Sequence, residues 1–263
     1  MNKQSAIASK WIKTRVLVRS SYLAAHIPAT LRLNRGSLAR LLKKYQMVYV
    51  KPVSGSCGIG VMRVERLRSG WVVRDGKRRR NFATYDKLYS WLSHRTRRVP
   101  YLVQRGIHML RFKGRPIDFR VVIQKGKRVK WRVTGMAARV AHPLKAVTNG
   151  SQGGSIHAAQ ELLRRTAGRK TSKRLLRQMG RIARVTAQRL SRAYPRMNEL
   201  GLDIAVDRKR RAWILEVNTR PDPCPFTKLA NPAMIRRMVK YARGYGRTYC
   251  LRCNKARRGA SSR

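Results

Sequence analysis

Apolar positions along the chain change period several times, and each change marks an element. Trp11, Ile12, Val16, Leu17 and Leu23 recur at near-helical spacing over 10–26, and Pro28 ends that segment. Gly36-Ser37 precedes a short helix, Leu38 to Tyr45, after which MVYVKPV (47–53) turns to the β-branched and aromatic residues of a strand. The glycine-rich turn SGSCGIG (54–60) leads to a second strand, VMRVER (61–66). Trp71-Val-Val-Arg runs into Asp75-Gly76, a hairpin signal, and Thr84 is suited to cap a helix through Leu92.

Further along, YLVQR (101–105) is strand-like, and DFRVVIQ (118–124) and VKWRVTG (129–135) form a hairpin that MAARV (136–140) extends. Residues 141–160 read as irregular, with Asn149-Gly150 and Gly153-Gly154 as turns. Over 172–194, Leu175, Leu176, Met179, Ile182, Ala183, Leu190 and Tyr194 make one apolar stripe, with arginine on the other face. A last hairpin, GLDIAVD–RKRR–AWILEVN (201–218), precedes the turn-rich TRPDPCP, a short helix near 232–243 and a basic tail, 244–263, expected to be mobile. Antiparallel hairpins with helices between them predict an α+β fold rather than a doubly wound parallel sheet.

Composition changes the picture in one respect. The chain of 263 residues is 43% hydrophobic, enough for a real core, yet carries 63 Lys+Arg against 10 Asp+Glu, a formal charge of +53. That surface attracts polyanions, either an acidic polymer or nucleic acid bound without sequence preference. No signal-peptide core opens the chain and no run approaches the ~18 apolar residues of a membrane span, so the expectation is a cytoplasmic protein. Four cysteines are too few for a disulfide scaffold. Cys250-Leu-Arg-Cys253 has zinc-ligand spacing without a second ligand pair, and free thiols are the expected state.

With so few acids, the final hairpin stands out. Asp203 lies on one strand, and Glu216 and Asn218 lie two apart on the next, so their side chains share a face. These acids either neutralise neighbouring arginines or form an all-oxygen site for Mg²⁺ (Mn²⁺ being an alternative) held against phosphate. Their placement in an apolar hairpin, where an unpaired charge is costly, favours the metal. Upstream, Lys51 ends a strand before Ser54, Gly55, Ser56, Gly58 and Gly60, a lysine and small residues able to surround phosphates with N–H groups. This is not a Walker A loop, because no Gly-Lys-Ser/Thr follows the glycines.

Taken in this order, SKWIKT, IPAT (27–30), YVKPVSGSCGIGV, YLVQRGI, DFRVVIQ, GMAARV, TNGSQGG and LGLDIAVD…WILEVNTRPDP resemble the ATP-grasp superfamily. Within it they are most similar to the YheC/YheD-type endospore coat-associated branch, from about Lys10 to Pro225. The resemblance implies ATP clasped between two α+β subdomains with largely antiparallel sheets. It would make 1–243 one ATP-grasp domain, with a small subdomain at about 46–105 and a larger one at about 106–243. Lys51 and Lys10 then resemble the family's nucleotide-binding lysines, with Lys13 close to the second of them. Gln104, Arg105, Gly106 and Ile107 take the place of the hinge whose backbone reads adenine. Asp203, Glu216 and Asn218 match the magnesium ligands, and Arg120, Arg139 and Arg220 the cations on the phosphoryl group or substrate carboxylate. Hardly any sequence precedes Lys10, so no sizeable domain is expected before the ATP-grasp core. The implied function is an ATP-dependent carboxylate-amine ligase, with unknown carboxylate and amine, working through an acyl phosphate and associated with spore formation. Alternatives are a non-catalytic ATP-binding coat protein and a basic nucleic-acid-binding protein.

Overall fold

The computed structural model describes residues 8–55, 58–126, 130–141 and 154–253, and the main chain of 257–258. They group into two compact units, one holding the chain to Thr14 with Ile27–Ile107, the other Arg15–His26 with the described chain from His108 onward. Helix α1 (Lys10–Val18) begins in the first. The single helical segment expected over 10–26 is two helices, because the Ser20 hydroxyl accepts from the Leu23 N–H and starts α2 (Ser21–Ala24) afresh.

The first unit continues with β1 (Thr30–Arg32), α3 (Arg35–Tyr45), β2 (Met47–Pro52), β3 (Met62–Arg66), β4 (Trp71–Asp75), β5 (Arg78–Phe82), α4 (Tyr85–Thr96) and β6 (Tyr101–Arg105). Among the described residues its strands form one six-stranded sheet, β1-β6-β2-β3-β4-β5, antiparallel at each pairing. Helix α3 starts three residues before the expected Leu38, because Asn34 and Ser37 make a reciprocal capping box. Thr84 caps α4 as its sequence predicts, by accepting from the Lys87 N–H. Leu38, Leu41 and Leu42 of α3 and Leu88 and Leu92 of α4 bury against Val48, Val50, Met62, Val64, Val73 and Val103 of the sheet. Each such burial contributes about 1.5–3 kcal/mol, and together they fix the strand carrying Lys51.

The second unit contains β7 (Arg111–Phe112), β8 (Arg115–Lys125), β9 (Trp131–Val140), β10 (Ser155–Ala158), α5 (Ala159–Ala167), α6 (Arg169–Ala193), β11 (Glu199–Val206), β12 (Ala212–Asn218), a 3₁₀ turn (Cys224–Lys228), α7 (Ala233–Arg243) and β13 (Arg257–Arg258). Its sheet runs β12-β11-β8-β9-β10-β13, with β7 beside β8, and only β10–β13 among the described pairings is parallel. Of the expected stripe, Leu175, Met179, Ile182, Ala183 and Leu190 of α6 are buried, while Leu176 and Tyr194 are half-buried. Val122, Ala137 and Ile156 of the sheet pack with Phe226, Ile235 and Met238 around α7.

Two expectations are corrected here. Within the stretch 141–160 expected to be irregular, 155–160 are regular: they form β10 and the start of α5. Gly154 reads as a turn, yet a Cβ there would lie 2.6 Å from the Val140 carbonyl oxygen, so this glycine permits β10 to run against β9. Asn149, Gly150 and Gly153 lie outside the described residues. Nor is the chain beyond Gly244 a free tail as far as Cys253. Tyr245 and Tyr249 donate hydroxyl hydrogen bonds to the buried Glu199 carboxylate at 2.7 and 2.5 Å, and Arg247 pairs with the same group. Gln124 donates to both tyrosine oxygens. Together with Arg247, the two tyrosines satisfy a buried acid.

Candidate functional site

In the second unit, β11 lies between β8 and β12 and brings the expected metal ligands into register. Asp203 is directly opposite Glu216, and Gly201 is opposite Asn218, so all three oxygen-bearing side chains issue from one face of the sheet. On its other side Asp203 is opposite Arg120, and Asp118 is opposite Arg139 one strand further on. Gly201 is needed here, because a Cβ would come within 2.6 Å of Pro221 Cβ and 3.4 Å of Arg120 Nη1. Sequence reading passed over this glycine, although it opens the same motif as Asp203.

Four charged side chains in this patch are almost wholly buried and pair as a chain. Arg120 donates Nε to Asp203 Oδ1 at 2.6 Å and Nη2 to Oδ2 at 3.1 Å. Arg139 reaches Asp203 Oδ1 at 3.0 Å with Nη2 and grips Asp118 with both Nε and Nη2. Burial pushes the Asp203 carboxyl up, but the two guanidinium groups outweigh it and hold it below the usual carboxylate range. For Asp118 burial prevails over Arg139, and its carboxyl is raised. Burial works against the Arg139 charge, yet its two carboxylates keep it firmly protonated. Asp118 is an acid of the site that sequence reading missed; its partner Arg139, twenty-one residues away, is the neighbour only because β8 and β9 pair.

The donor set fits a hard divalent cation. Two carboxylates and an amide oxygen suit magnesium, and Asp203 keeps acceptor capacity: Oδ1 takes two donors from the arginines and Oδ2 only one. Among the described residues no group of three His, Cys, Asp or Glu gathers as a metal site, and the third oxygen donor on this face is the amide of Asn218. The three arginines separate. Arg120 and Arg139 are engaged by carboxylates, whereas Arg220, just past β12, is exposed and has no ion-pair partner among the described residues.

The first unit holds the other expected residues. Lys51, on β2, donates from Nζ to Gln104 Oε1 at 2.7 Å, and Gln104 Nε2 donates to Thr30 Oγ1 at 2.8 Å. The Gln104 side chain thus aims the lysine, a duty not read from the sequence. Lys10 Nζ donates to the Gly55 carbonyl at 2.7 Å, and its main-chain N–H to Val53, so the start of α1 is tied to the glycine-rich turn. Lys13 is the more buried of the two α1 lysines, at 6% exposure. Ser54 and Gly55 are exposed, and Gly55, Gly58 and Gly60 have φ of 121°, 72° and 72°, values that favour glycine. Ser56 lies outside the described residues. In the hinge, the N–H groups of Arg105 and Gly106 donate to Ala29 and Met47 carbonyls, while that of Ile107 has no such partner among the described residues. Of Arg105, Gly106 and Ile107, Ile107 is thus the one whose N–H is not engaged in that way. Gly106 admits this packing, since a Cβ would meet Met47 Cε at 2.5 Å.

Comparison with known proteins follows the same outline. A family model described as YheC/D like ATP-grasp matches residues 1–248. The endospore coat-associated protein YheD of Bacillus subtilis (strain 168) is 27% identical over 228 residues, a match covering 83% of this chain and 49% of that protein. YheC of the same organism is 24% identical over 220 residues, covering 82% and 60%. The chain spans about half the length of the first of these relatives and under two thirds of the second. Among solved structures, D-alanyl-alanine synthetase A from Vibrio cholerae O1 biovar eltor str. N16961 aligns with a TM-score of 0.54 at 11% identity, over 93% of this chain and 62% of that one. At that identity the likeness is one of fold.

Proposed function

Because the chain belongs to the YheC/D-like ATP-grasp family, we propose that it binds Mg-ATP and uses it to activate a carboxylate as an acyl phosphate for capture by an amine. The observation that carries this reading is the oxygen-bearing face of β11 and β12, where Asp203, Glu216 and Asn218 share one side and Arg120 and Arg139 hold Asp203 ionised. Those three residues would hold the cation, which when bound supplies charge neutralisation at the phosphate oxygens. Lys51, aimed by Gln104, and the N–H groups of the Gly55–Gly60 turn contact the triphosphate, and Lys10 secures that turn. Ile107 reads the adenine through its backbone. Arg220 meets the transferred phosphoryl group or the carboxylate; Arg120 and Arg139 act as positioning residues. In the reaction a carboxylate oxygen attacks the γ-phosphorus and ADP leaves. The amine nitrogen then attacks the acyl carbon, phosphate leaves, and the amine gives up a proton. An association with spores is part of this reading, since the relatives YheD and YheC are endospore coat-associated proteins.

A second reading, a nucleotide-binding coat protein without turnover, is favoured by the burial of Arg120 and Arg139 in pairs with Asp203 and Asp118, which leaves Arg220 the exposed one of the three expected arginines. Thermal unfolding with and without magnesium tests what the two share. Mg-ATP at about a hundred times its dissociation constant adds about 2.7 kcal/mol, and an unchanged midpoint sinks both. Glu216→Gln, which keeps shape and removes charge, should leave the apo midpoint near the parent's while abolishing the magnesium-dependent part of the shift. ADP release over a panel of carboxylates and amines separates enzyme from coat protein.

A further inference from the structure

Three of the cysteines fall in the second unit within the described residues, and their arrangement contradicts their spacing. Cys250 and Cys253 form the local Cys-x-x-Cys pair, yet Cys250 is exposed and Cys253 turns inward to pack beside the Phe226–Met238 core. Cys224 is buried at the start of the 3₁₀ turn and donates its S–H to the carbonyl of Arg252, the residue next to Cys253, at 3.1 Å. We propose that Cys224 and Cys253, not Cys250 and Cys253, are a dithiol that closes to a disulfide on exposure to a low-molecular-weight disulfide, pinning the C-terminal segment to the turn that follows β12.

The chemistry balances with that oxidant. The partly exposed Cys253 thiolate attacks one sulfur of the small disulfide, giving a mixed disulfide and releasing one small thiolate, which takes up a proton. Cys224 then loses its proton and attacks the Cys253 sulfur, expelling the second small thiolate. The protein loses two protons and two electrons, and the oxidant becomes two thiols. Burial, with the neighbouring Cys253 and Asp222, pushes the Cys224 thiol up to about 12. The second step is therefore the slow one, and it accelerates about tenfold per pH unit below that value. Its consequence is local. Tyr245 and Tyr249 already hold this segment to Glu199, and a covalent bond at Cys253 would fasten its far end.

The test uses the full chain with Cys57 replaced by serine, so that only these three thiols react. Folded protein is incubated with oxidised glutathione at two alkaline pH values, alkylated, digested without reductant and mapped by mass spectrometry. The expected product has lost two hydrogens, joins the Cys224 and Cys253 peptides, and forms faster at the higher pH. Cys250→Ser should retain that link, and Cys253→Ser should abolish it. In strong urea the product should shift towards the Cys250–Cys253 bridge, because proximity in sequence then replaces the folded contact. A Cys250–Cys253 bridge in the folded protein, or a stable glutathione adduct on Cys253 with Cys224 still reduced, would overturn the assignment. So would the same ratio of bridges in buffer and in urea.

Discussion

Arg139 holds two carboxylates with one guanidinium group, and its own burial makes that arrangement consequential. Replacing a buried pair wholesale by apolar groups can be neutral, whereas removing one member strands the other in a low-dielectric site. Arg139→Met should therefore cost about 3–5 kcal/mol, read from urea unfolding near neutral pH. Asp118, already raised, rises further without Arg139, so the variant's deficit against the parent should narrow as pH falls and the stranded carboxyl protonates. A deficit independent of pH would mean that lost packing, not stranded charge, is the cause. The histidines give a second dependence with a fixed sign. Burial lowers His26, whose Nδ1 lies 2.9 Å from the Ala212 carbonyl oxygen, and burial likewise lowers His157. The unfolded chain then takes up these protons first, so stability is whole above the ordinary imidazole value and declines as pH drops through it. The urea midpoint should be lower at about pH 5.5 than at about pH 7.5. His26→Gln combined with His157→Gln should shrink that difference; if it persists, other groups govern the acid limb.

Among the elements, the glycine-rich turn after β2 is the one whose chemistry shows most plainly outside the core. Ile59, 76% exposed between two glycines of positive φ, is a large apolar residue with nothing to gain from the fold at that position. Ile59→Ser should leave the apo unfolding midpoint within about 0.5 kcal/mol of the parent, while reducing the Mg-ATP-induced shift if the turn packs on the nucleotide. An unaltered shift would remove Ile59 from the binding surface. The strands were legible because each rests on a local period: MVYVKP, DFRVVIQ and the 201–218 hairpin alternate or bury within a few residues, which also sets Asp203, Glu216 and Asn218 on one face. The Asp118–Arg139–Asp203–Arg120 chain was not, since it depends on which strands lie side by side and in which register. The sequence offers Asp203 as a ligand and Arg120 as a cation for the phosphoryl group or substrate carboxylate, and neither period nor spacing shows that they share two hydrogen bonds. Similarly, β10 and α5 were hidden because Gly154 signals a turn by composition and a close approach by geometry.

At the scale of the whole molecule, charge is the dominant property, and the helix α6 shows how little of it is compensated. Lys173, Arg174, Arg177 and Arg184 are exposed on it, and none has an ion pair among the described residues. The formal charge of +53 leaves most such cations without an acid to meet. We expect polyanion binding that is tight at low salt, indifferent to sequence, and separate from nucleotide binding, because cations spread along a helix contact phosphates without reading bases. Truncation after Arg243 would be a poor probe: it removes Tyr245, Arg247 and Tyr249 from Glu199 and so perturbs the fold along with the charge. Changing Lys173, Arg174, Arg177 and Arg184 to glutamine removes charge from solvent-exposed positions instead. If all four contact duplex phosphates, the slope of log affinity against log salt should fall in magnitude by up to about 3.6, at about 0.9 per contact. The Mg-ATP thermal shift should stay as in the parent. Titrations of two unrelated duplexes and an acidic polypeptide across a range of salt read this directly. An unchanged slope would move the binding surface off α6, and a preference for one duplex that survives high salt would make this a sequence-reading protein after all.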